Sequence, residues 1–359
     1  MNCKNATNTY EEWLAKHTRI VEGDLRLKHQ HMSADIFSFM RATFYRWLEL
    51  WSERCADLAK APTVLAVGDL HVENFGTWRD AEGRLVWGIN DFDEVFELPY
   101  TNDLVRLAAS AHLAISTNHL ALKPADACQA ILRGYAKGLK EGGAPFVLAE
   151  KHEWLRATVI SELRDPVKFW DKLNSLPTIK SRIPGKAKKA LIGSLPASKL
   201  PYRVVHRVAG LGSLGRQRFV ALAEWNGSWI AREAKALVPS TCLLISQDRD
   251  DRPQYEKIVG QAVRCPDPFL DLRKGWIVRR LAPDCGRVEL EMLPTGHDEH
   301  KLLEAMGRET ANIHLGCKRA VEKIRRDLKE RADSWLHAAA KEMVKVTTED
   351  WQSWCVPTL

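Results

Sequence analysis

The residues best suited to chemistry are a carboxylate and a carboxamide five positions apart, followed by carboxylates in a later segment. Asp69 and Asn74 lie in the segment GDLHVEN, and Asp91 and Asp93 lie in the segment NDFDE. Such a set can place one oxygen at a nucleophile's proton and two at Mg²⁺, as phosphoryl transfer to a hydroxyl requires. Polar turn residues between two strands are the alternative, and we retain it above all for His71.

A glycine-rich segment forms the second candidate feature. Residues 210–215 read GLGSLG, a spacing that occurs in dinucleotide-binding folds, in kinases and by chance. A dinucleotide-binding fingerprint opens a helix, whereas residues 216–232 alternate in polarity and turn at Asn226-Gly227, which predicts an antiparallel hairpin. The context therefore favours a lid over nucleotide phosphates, with Gly210, Gly212, Ser213 and Gly215 as binding residues. The alternative is a glycine-rich turn without a ligand.

A cation on the strand after this turn could pair with phosphates. Kinases place a lysine about twenty residues beyond the first glycine of their glycine loop. Arg232 fits that spacing better, and Lys235 fits the residue type. Alternation puts Arg232 on one face with Ile230 and Ala234, so it points with the apolar side unless that side lines the cleft. Either cation could be a surface ion-pair partner, and we slightly prefer Arg232.

The chain resembles the bacterial domain-of-unknown-function 2252 family over roughly residues 33 to 316. The resemblance is strongest at residues 68–76 (GDLHVENFG) and 90–94 (NDFDE). Its other segments are residues 37–43, 103–110, 210–215, 232–234, 260–261 and 279–281. The family usually carries lysine at the position of Arg232.

The GDLHVEN segment is also similar to the catalytic loop of aminoglycoside phosphotransferase-like kinases. That resemblance implies Asp69 as the catalytic base, Asn74 and Asp91 as Mg²⁺ ligands, Asp93 as an auxiliary carboxylate, and ATP as the cofactor. It also implies a glutamate that pairs with the lobe cation, for which Glu256 is the candidate.

The order of these motifs is reversed relative to ordinary kinases, because the acidic segments precede the glycines. A circular permutation accounts for this, since residues 306–315 resemble the helix that normally leads into the catalytic loop, and domain termini often lie close together. We therefore expect an α+β, protein kinase-like two-lobed fold in permuted order.

Periodicity and composition predict five regions. Residues 1–60 form helices that pack on the helical lobe, with a buried stripe from Phe37 to Trp51 and Ser33 as a cap. Residues 61–175 carry the catalytic loop and metal site. Residues 176–200 form a basic linker, residues 201–293 an antiparallel nucleotide-binding lobe, and residues 294–359 helices that return to the helical lobe.

Composition limits the partners and the cellular location that can be expected for the protein. The chain has 359 residues and a net charge of +7, which allows anionic partners. It contains no apolar run long enough for a membrane helix, and its start does not resemble a secretory signal, so we expect a cytoplasmic protein without a membrane partner. The eight cysteines show no CxxC spacing, which predicts neither a zinc site nor disulfides.

The sequence thus predicts a Mg-ATP-dependent phosphotransferase with an unknown hydroxyl-bearing acceptor. An inert nucleotide or nucleic-acid binder is the main alternative, although the basic stretch lacks the interleaved aromatics of a single-strand platform, so nucleic acid is the less favoured partner. A metallophosphoesterase is less favoured still, because the companion His and Asp motifs of that class are missing.

Overall fold

The computed structural model describes residues 2–160, 165–246, 252–287 and 298–356. Its helices are α1 (Cys3–His17), α2 (Glu22–Ala34), α3 (Ile36–Ala42), α4 (Phe44–Arg54), α5 (Tyr100–Ser116), α6 (Pro124–Glu141), α7 (Glu153–Ile160), α8 (Pro166–Asn174), α9 (Gly185–Ile192), α10 (Cys242–Ile245), α11 (Tyr255–Gln261), α12 (Glu299–His314), α13 (Lys318–Glu330) and α14 (Trp335–Cys355). Its strands are β1 (Thr63–Ala66), β2 (Phe75–Arg79), β3 (Leu85–Ile89), β4 (Phe96–Pro99), β5 (Phe146–Val147), β6 (Arg203–His206), β7 (Arg218–Trp225), β8 (Ser228–Ala236), β9 (Asp271–Leu272), β10 (Trp276–Leu281) and β11 (Gly286–Arg287). The fold is α+β, as expected.

All strands of the three described sheets pair antiparallel. One sheet pairs β1 with β4, a second has the order β11-β2-β3-β5, and a third has the order β6-β7-β8-β10-β9. The first two sheets share one large hydrophobic core with helices α4, α5, α6, α12 and α14. The five-stranded sheet has its own smaller apolar clusters.

Helices α6 and α12 pack closely because glycines face the partner backbone. A Cβ atom at Gly134 would lie 1.9 Å from the carbonyl oxygen of Glu304, and one at Gly307 would lie 2.1 Å from that of Ile131. Any larger residue would push the helices apart. This contact positions the C-terminal end of α12 beside β1.

The aromatic stripe in the N-terminal region is buried, as predicted, but the helix that carries it is interrupted. Phe37 lies on α3 and Trp51 on α4, with a break at Thr43, which leaves helical geometry at ψ 42°. The predicted cap was wrong: Ser33 belongs to α2. Asp35 caps α3 instead, because its carboxylate accepts a hydrogen bond from the backbone N–H of Ser38 at 2.7 Å.

The structure confirms the hairpin predicted from Asn226-Gly227. Strands β7 and β8 pair from Arg218 and Lys235 at one end to Trp225 and Ser228 at the other. Asn226 and Gly227 adopt φ values of 49° and 81°, the two positive angles that a type I′ turn requires. The preceding glycines lie between β6 and β7, which are antiparallel.

The basic stretch at residues 176–200 contains a helix that the sequence interpretation omitted. Along α9, Ala187 and Ala190 are buried against the five-stranded sheet, while Lys186, Lys188 and Lys189 are exposed. The lysines thus form the solvated face of an amphipathic helix. The region leads into the five-stranded sheet and also supplies a layer of that sheet's core.

The region from residue 201 also returns to the helical side before α12. Strand β11 pairs with β2, so Arg287 lies opposite Gly76. Residues 288–293, the end of the predicted β lobe, lie outside the described residues. No helix in the described part of the chain has both the length and the apolar character that a membrane span requires.

Candidate functional site

A cavity of about 800 Å³ lies where the acidic segments face the five-stranded sheet. Eight residues predicted for the site line it: Asp69, Asn74, Asp91, Asp93, Gly210, Gly212, Ser213 and Lys235. Arg232 and Gly215 are not among its lining residues. Residues far apart in sequence therefore meet around one space.

The backbone that leads into Asp69 is fixed by a buried carboxylate of α5. Asp103 accepts hydrogen bonds from the N–H of Val67 at 2.7 Å and of Gly68 at 3.0 Å. Asp103 also contacts Nε2 of His314, the last residue of α12, at 3.0 Å. Gly68 has φ +83°, and a Cβ there would lie 2.3 Å from the carbonyl oxygen of Glu94, so glycine is required.

The Asp69 carboxylate is held by Arg106, also from α5. Nε of Arg106 donates to Oδ1 of Asp69 at 2.7 Å, and Nη2 donates to the same oxygen. The guanidinium lies within 5 Å of the ring centres of Phe44 and Trp47. Burial raises the pKa of Asp69 to about 7, and Arg106 only partly opposes this shift. A carboxyl group with that pKa can accept a proton near neutral pH.

Asn74 is oriented by the residues around it. Its Nδ2 donates to the carbonyl oxygen of Asp69 at 2.8 Å, which leaves Oδ1 as the oxygen available to a cation. The carbonyl of Asn74 accepts from the N–H of Asn90 at 3.0 Å. This hydrogen bond connects the GDLHVEN segment to the NDFDE segment and fixes the position of one relative to the other.

Asp93 and Asp91 differ in their surroundings. Asp93 is buried and contacts Nζ of Lys235 at 2.6 Å and Arg216 at 3.2 Å. Burial opposes its charge, but the two cations outweigh this and hold the pKa of Asp93 below its usual range. The Asp91 side chain is 42% exposed, and its nearest cation is Lys235 at 3.8 Å. Asp91 is therefore the more accessible carboxylate.

The two candidate cations of β8 point in opposite directions, as strand alternation requires. Lys235 reaches the acidic segments and lines the cavity. Arg232 instead donates to the carbonyl of Ser194 at 3.0 Å and stacks on Phe269 at 4.7 Å. The apolar side that Arg232 shares with Ala234 faces α9, away from the cavity. The structure thus brings Lys235 to the cavity and places Arg232, the slightly preferred candidate for pairing with phosphates, outside its lining.

An arginine cluster around Glu233 forms the sheet side of the cavity and was missed in the sequence. The buried Glu233 carboxylate accepts from Arg207 and Arg218 at 2.8 Å each and lies 3.9 Å from Arg279. Burial opposes the charge of Glu233, but these guanidinium groups hold its pKa below the usual range. Alternation places Glu233 on the same face as Lys235, which was the available signal.

The glycine segment lies directly against the catalytic candidate. A Cβ at Gly212 would lie 3.5 Å from Oδ2 of Asp69 and 3.2 Å from the carbonyl of Arg41. Ser213 stabilises the turn, because its hydroxyl donates to the carbonyl of Gly210 and accepts from Arg218. The backbone of the glycine segment at Gly212 thus packs closely against Asp69 and Arg41.

The N-terminal helices hold the glycine segment from outside. The N–H of Val21 donates to the carbonyl of Gly215 at 2.8 Å. Asp24 on α2 contacts His206 of β6 at 2.9 Å, and Nζ of the buried Lys28 lies 3.4 Å from the carbonyl of Gly212. These helices therefore contact both sides of the cavity.

The other polar residues of the two acidic segments are held in the loops by hydrogen bonds and ion pairs. Nδ1 of His71 accepts from the N–H of Glu73 at 3.2 Å. Burial lowers the pKa of His71 well below its usual value, so the ring is neutral. Glu73 pairs with Arg41 at 2.5 Å, and Glu94 accepts from the N–H of Thr241 at 2.7 Å.

Glu256 is not placed to pair with the lobe cation. It lies exposed on α11, and the carboxylates that contact Lys235 are those of Asp93 and Asp91. The expected ion pair between Glu256 and Lys235 is therefore not seen among the described residues.

Comparison with known proteins supports one part of the resemblance. Residues 19–167 match the model of the family described as "Uncharacterized protein conserved in bacteria (DUF2252)". This stretch is similar to the DUF2252 family. It contains both acidic segments and Arg106, and it ends before the glycine segment. No curated protein and no solved structure matches the chain.

Proposed function

We propose that the protein is a Mg-ATP-dependent phosphotransferase of kinase-like, circularly permuted architecture that acts on a hydroxyl-bearing acceptor. The observation that carries the proposal is the convergence of Asp69, Asn74, Asp91 and Lys235 with the glycine segment around one cavity. These residues come from three separate parts of the chain. A set assembled from such distant positions is more specific than any one of its motifs.

The oxygen donors suit a magnesium ion that bridges phosphates. Mg²⁺ prefers oxygen ligands and is usually bound by one or two carboxylates together with substrate phosphates. Oδ1 of Asn74 and the half-exposed carboxylate of Asp91 would supply such ligands, with Asp93 as the neighbouring carboxylate. Bound magnesium would neutralise charge on the transferred phosphoryl group.

The cations and the glycines would hold the nucleotide. The ammonium of Lys235, now paired with Asp93, is the cation that reaches the carboxylates, so we assign phosphate pairing to Lys235. The backbone N–H groups at Gly210 and Gly212 would cover the phosphates, whereas the N–H of Ser213 already donates to the carbonyl of Gly210 at 3.0 Å. Asp69 would accept the acceptor's proton, for which its raised pKa is suited.

The position of α12 supports the permuted order. Its last residue, His314, contacts the carboxylate that fixes the start of the GDLHVEN segment. Shortly beyond it, Sγ of Cys317 accepts from the N–H of Leu65 in β1 at 3.1 Å. The helix that would lead into the catalytic loop in an ordinary kinase thus ends beside that loop, although it follows the loop in the chain.

An inert nucleotide-binding protein is the second candidate, and one observation favours it. Arg106 engages Oδ1 of Asp69 with two nitrogens, and Gly212 lies close to the other carboxylate oxygen. Held in this way, Asp69 could form a purely structural ion pair with Arg106. Binding without turnover is therefore the outcome that separates the two candidates.

The test is to follow the γ-phosphate of MgATP by phosphorus NMR, with water and a panel of polyols and aminoglycosides as acceptors. We expect Asp69→Asn to lose about 10²- to 10⁴-fold in transfer while its MgATP affinity stays unchanged. Asp57→Asn, at an exposed loop position, is the matched control. MgATP binding without transfer by the wild type would favour the inert protein, and equal transfer by wild type and Asp69→Asn would remove Asp69 from its role.

A further inference from the structure

Three side chains with metal-binding atoms meet outside the cavity. His112 lies on α5, Cys128 on α6 and His337 on α14. One donor atom from each lies within 4.8 Å of the other two. None of the three residues lines the candidate phosphotransfer cavity. The cluster therefore needs an explanation of its own.

The geometry of His112 fixes which of its nitrogens faces the cluster. Nε2 lies 3.2 Å from Sγ of Cys128. A neutral imidazole can bind a metal through this nitrogen, and a thiolate is a further common zinc ligand.

His337 supplies an independent observation. Its ring centre lies 5.2 Å from that of His112, and the two planes are inclined by 51°. Its Nδ1 is buried and has no hydrogen-bond partner among the described residues. Burying a polar atom without a partner is unfavourable, so a missing ligand is a physical reason for its position.

We propose that His112, Cys128 and His337 bind one Zn²⁺ ion, with a water molecule in the fourth position. Two imidazoles and a thiolate suit a borderline-soft ion, whereas Mg²⁺ prefers the oxygen ligands of the cavity. Zn–N distances of about 2.0–2.1 Å and a Zn–S distance of about 2.3 Å require only small rotations of side chains whose donor atoms already lie this close.

A plain thiol–imidazole hydrogen bond is the competing explanation. A proton on Sγ of Cys128 shared with Nε2 of His112 would account for the 3.2 Å contact, but it leaves His337 without a role. When the metal binds, the thiol of Cys128 releases its proton to solvent, and the two imidazoles bind as neutral ligands.

The ion would connect three helices that already pack together. Helix α5 carries Asp103 and Arg106 to the candidate active site, and α14 lies across α5 and α6. Because the ligands are distributed over all three helices, zinc would stabilise this packing. The role is structural, and it does not depend on the proposed phosphotransfer.

Metal binding by the full chain tests the inference directly. The purified protein is stripped with a chelator and titrated with Zn²⁺ against a colorimetric competitor, and separately with Co²⁺. We expect one ion per chain and the thiolate-to-cobalt charge-transfer band in the wild type. Cys128→Ser and His337→Gln should each weaken zinc binding at least tenfold, and Cys128→Ser should abolish the band.

Matched control variants show whether a loss of zinc binding is specific to the three proposed ligands. Cys55→Ser removes another buried thiol, and His31→Gln removes an exposed imidazole. Both should bind zinc as the wild type does. The proposal is overturned if the wild type takes up no zinc, or if folded Cys128→Ser and His337→Gln bind zinc as tightly as the wild type.

Discussion

The helical and sheet sides of the cavity hold their charged groups in different ways. On the sheet side, Glu233 is fully buried among three arginines, and Lys235 is 2% exposed with its ammonium between two oxygens of Asp93. On the helical side, Asp91 is 42% exposed with one cation at 3.8 Å. The charged groups of the sheet side are buried and paired, Lys235 with a carboxylate from the opposite side, whereas Asp91 on the helical side retains oxygen atoms for an incoming cation.

This difference distinguishes residues that fix the geometry of the site from residues that would bind the metal and take part in the reaction. Buried charges that are already paired fix the geometry of a site, because the loss of one partner leaves the others uncompensated. An exposed carboxylate can exchange water for a metal at little cost. We therefore expect substitutions in the cluster around Glu233 to affect folding first, and substitutions on the helical side to affect metal binding and turnover first.

The largest expected effect is on stability and comes from the sheet side. Glu233→Gln leaves the guanidinium groups of Arg207, Arg218 and Arg279 without their carboxylate and should lower the free energy of unfolding by about 3–5 kcal/mol. Chemical denaturation measures this, with Glu224→Gln on the exposed end of β7 as control. A loss below about 1 kcal/mol would mean that the cluster does not organise this side.

The two cations of β8 allow a direct comparison within one strand, because Lys235 reaches the cavity and Arg232 does not. Lys235→Met should weaken ATP binding about 10- to 100-fold, equivalent to the roughly 1.5–3 kcal/mol of a charged hydrogen bond, and should hardly affect adenosine. Arg232→Met should leave ATP affinity unchanged, since its guanidinium faces Phe269. Calorimetric titration checks both, and the reverse pattern would restore Arg232 as the phosphate partner.

The raised pKa of Asp69 predicts a pH dependence on the helical side. A base works only when deprotonated, so kcat/KM should fall about tenfold per unit as the pH drops below about 7. With the ordinary pKa of about 3.9 for aspartate, the fall would begin three units lower. A rate that stays constant down to pH 5 would contradict the assignment, and the residual rate of Asp69→Asn should not vary across this range.

The smallest expected effect is at the contact between the two sides. Gly212→Ala places a methyl group 3.2 Å from the carbonyl of Arg41, so the glycine segment must shift by a few tenths of an ångström. We expect a loss of a few fold in nucleotide affinity, measured by calorimetry. Gly260→Ala, where nothing lies within 4 Å, should leave affinity unchanged. Equal affinities of both variants would place the nucleotide away from the segment.

Local patterns in the sequence predicted the local structure well. Asn226-Gly227 determined the hairpin, because its positive φ angles follow from the residue types alone. Alternation correctly grouped Arg232 with Ala234. It could not say which face lines the cavity, because that depends on α9 covering one side, and the amphipathic pattern of α9 had been interpreted as a solvated linker.

Contacts between residues that are far apart in the sequence could not be predicted. Arg216 meets Asp93 across more than a hundred residues, and no spacing rule connects them. The candidate zinc ligands at positions 112, 128 and 337 likewise share no motif, so the argument from missing CxxC spacing did not apply to them. Asp69 and Asn74 were found because their five-residue spacing lies within a single loop.

Thermal unfolding with Mg²⁺ alone, ATP alone and both together tests the central claim most directly. For the wild type, both ligands at about 100 times the Kd should add about 2.7 kcal/mol to the free energy of unfolding. This gain should require both components, should persist in Asp57→Ala and should vanish in Asp91→Ala. Equal stabilisation of Asp91→Ala, or none of the wild type at millimolar MgATP, would contradict a metal–nucleotide site in this cavity.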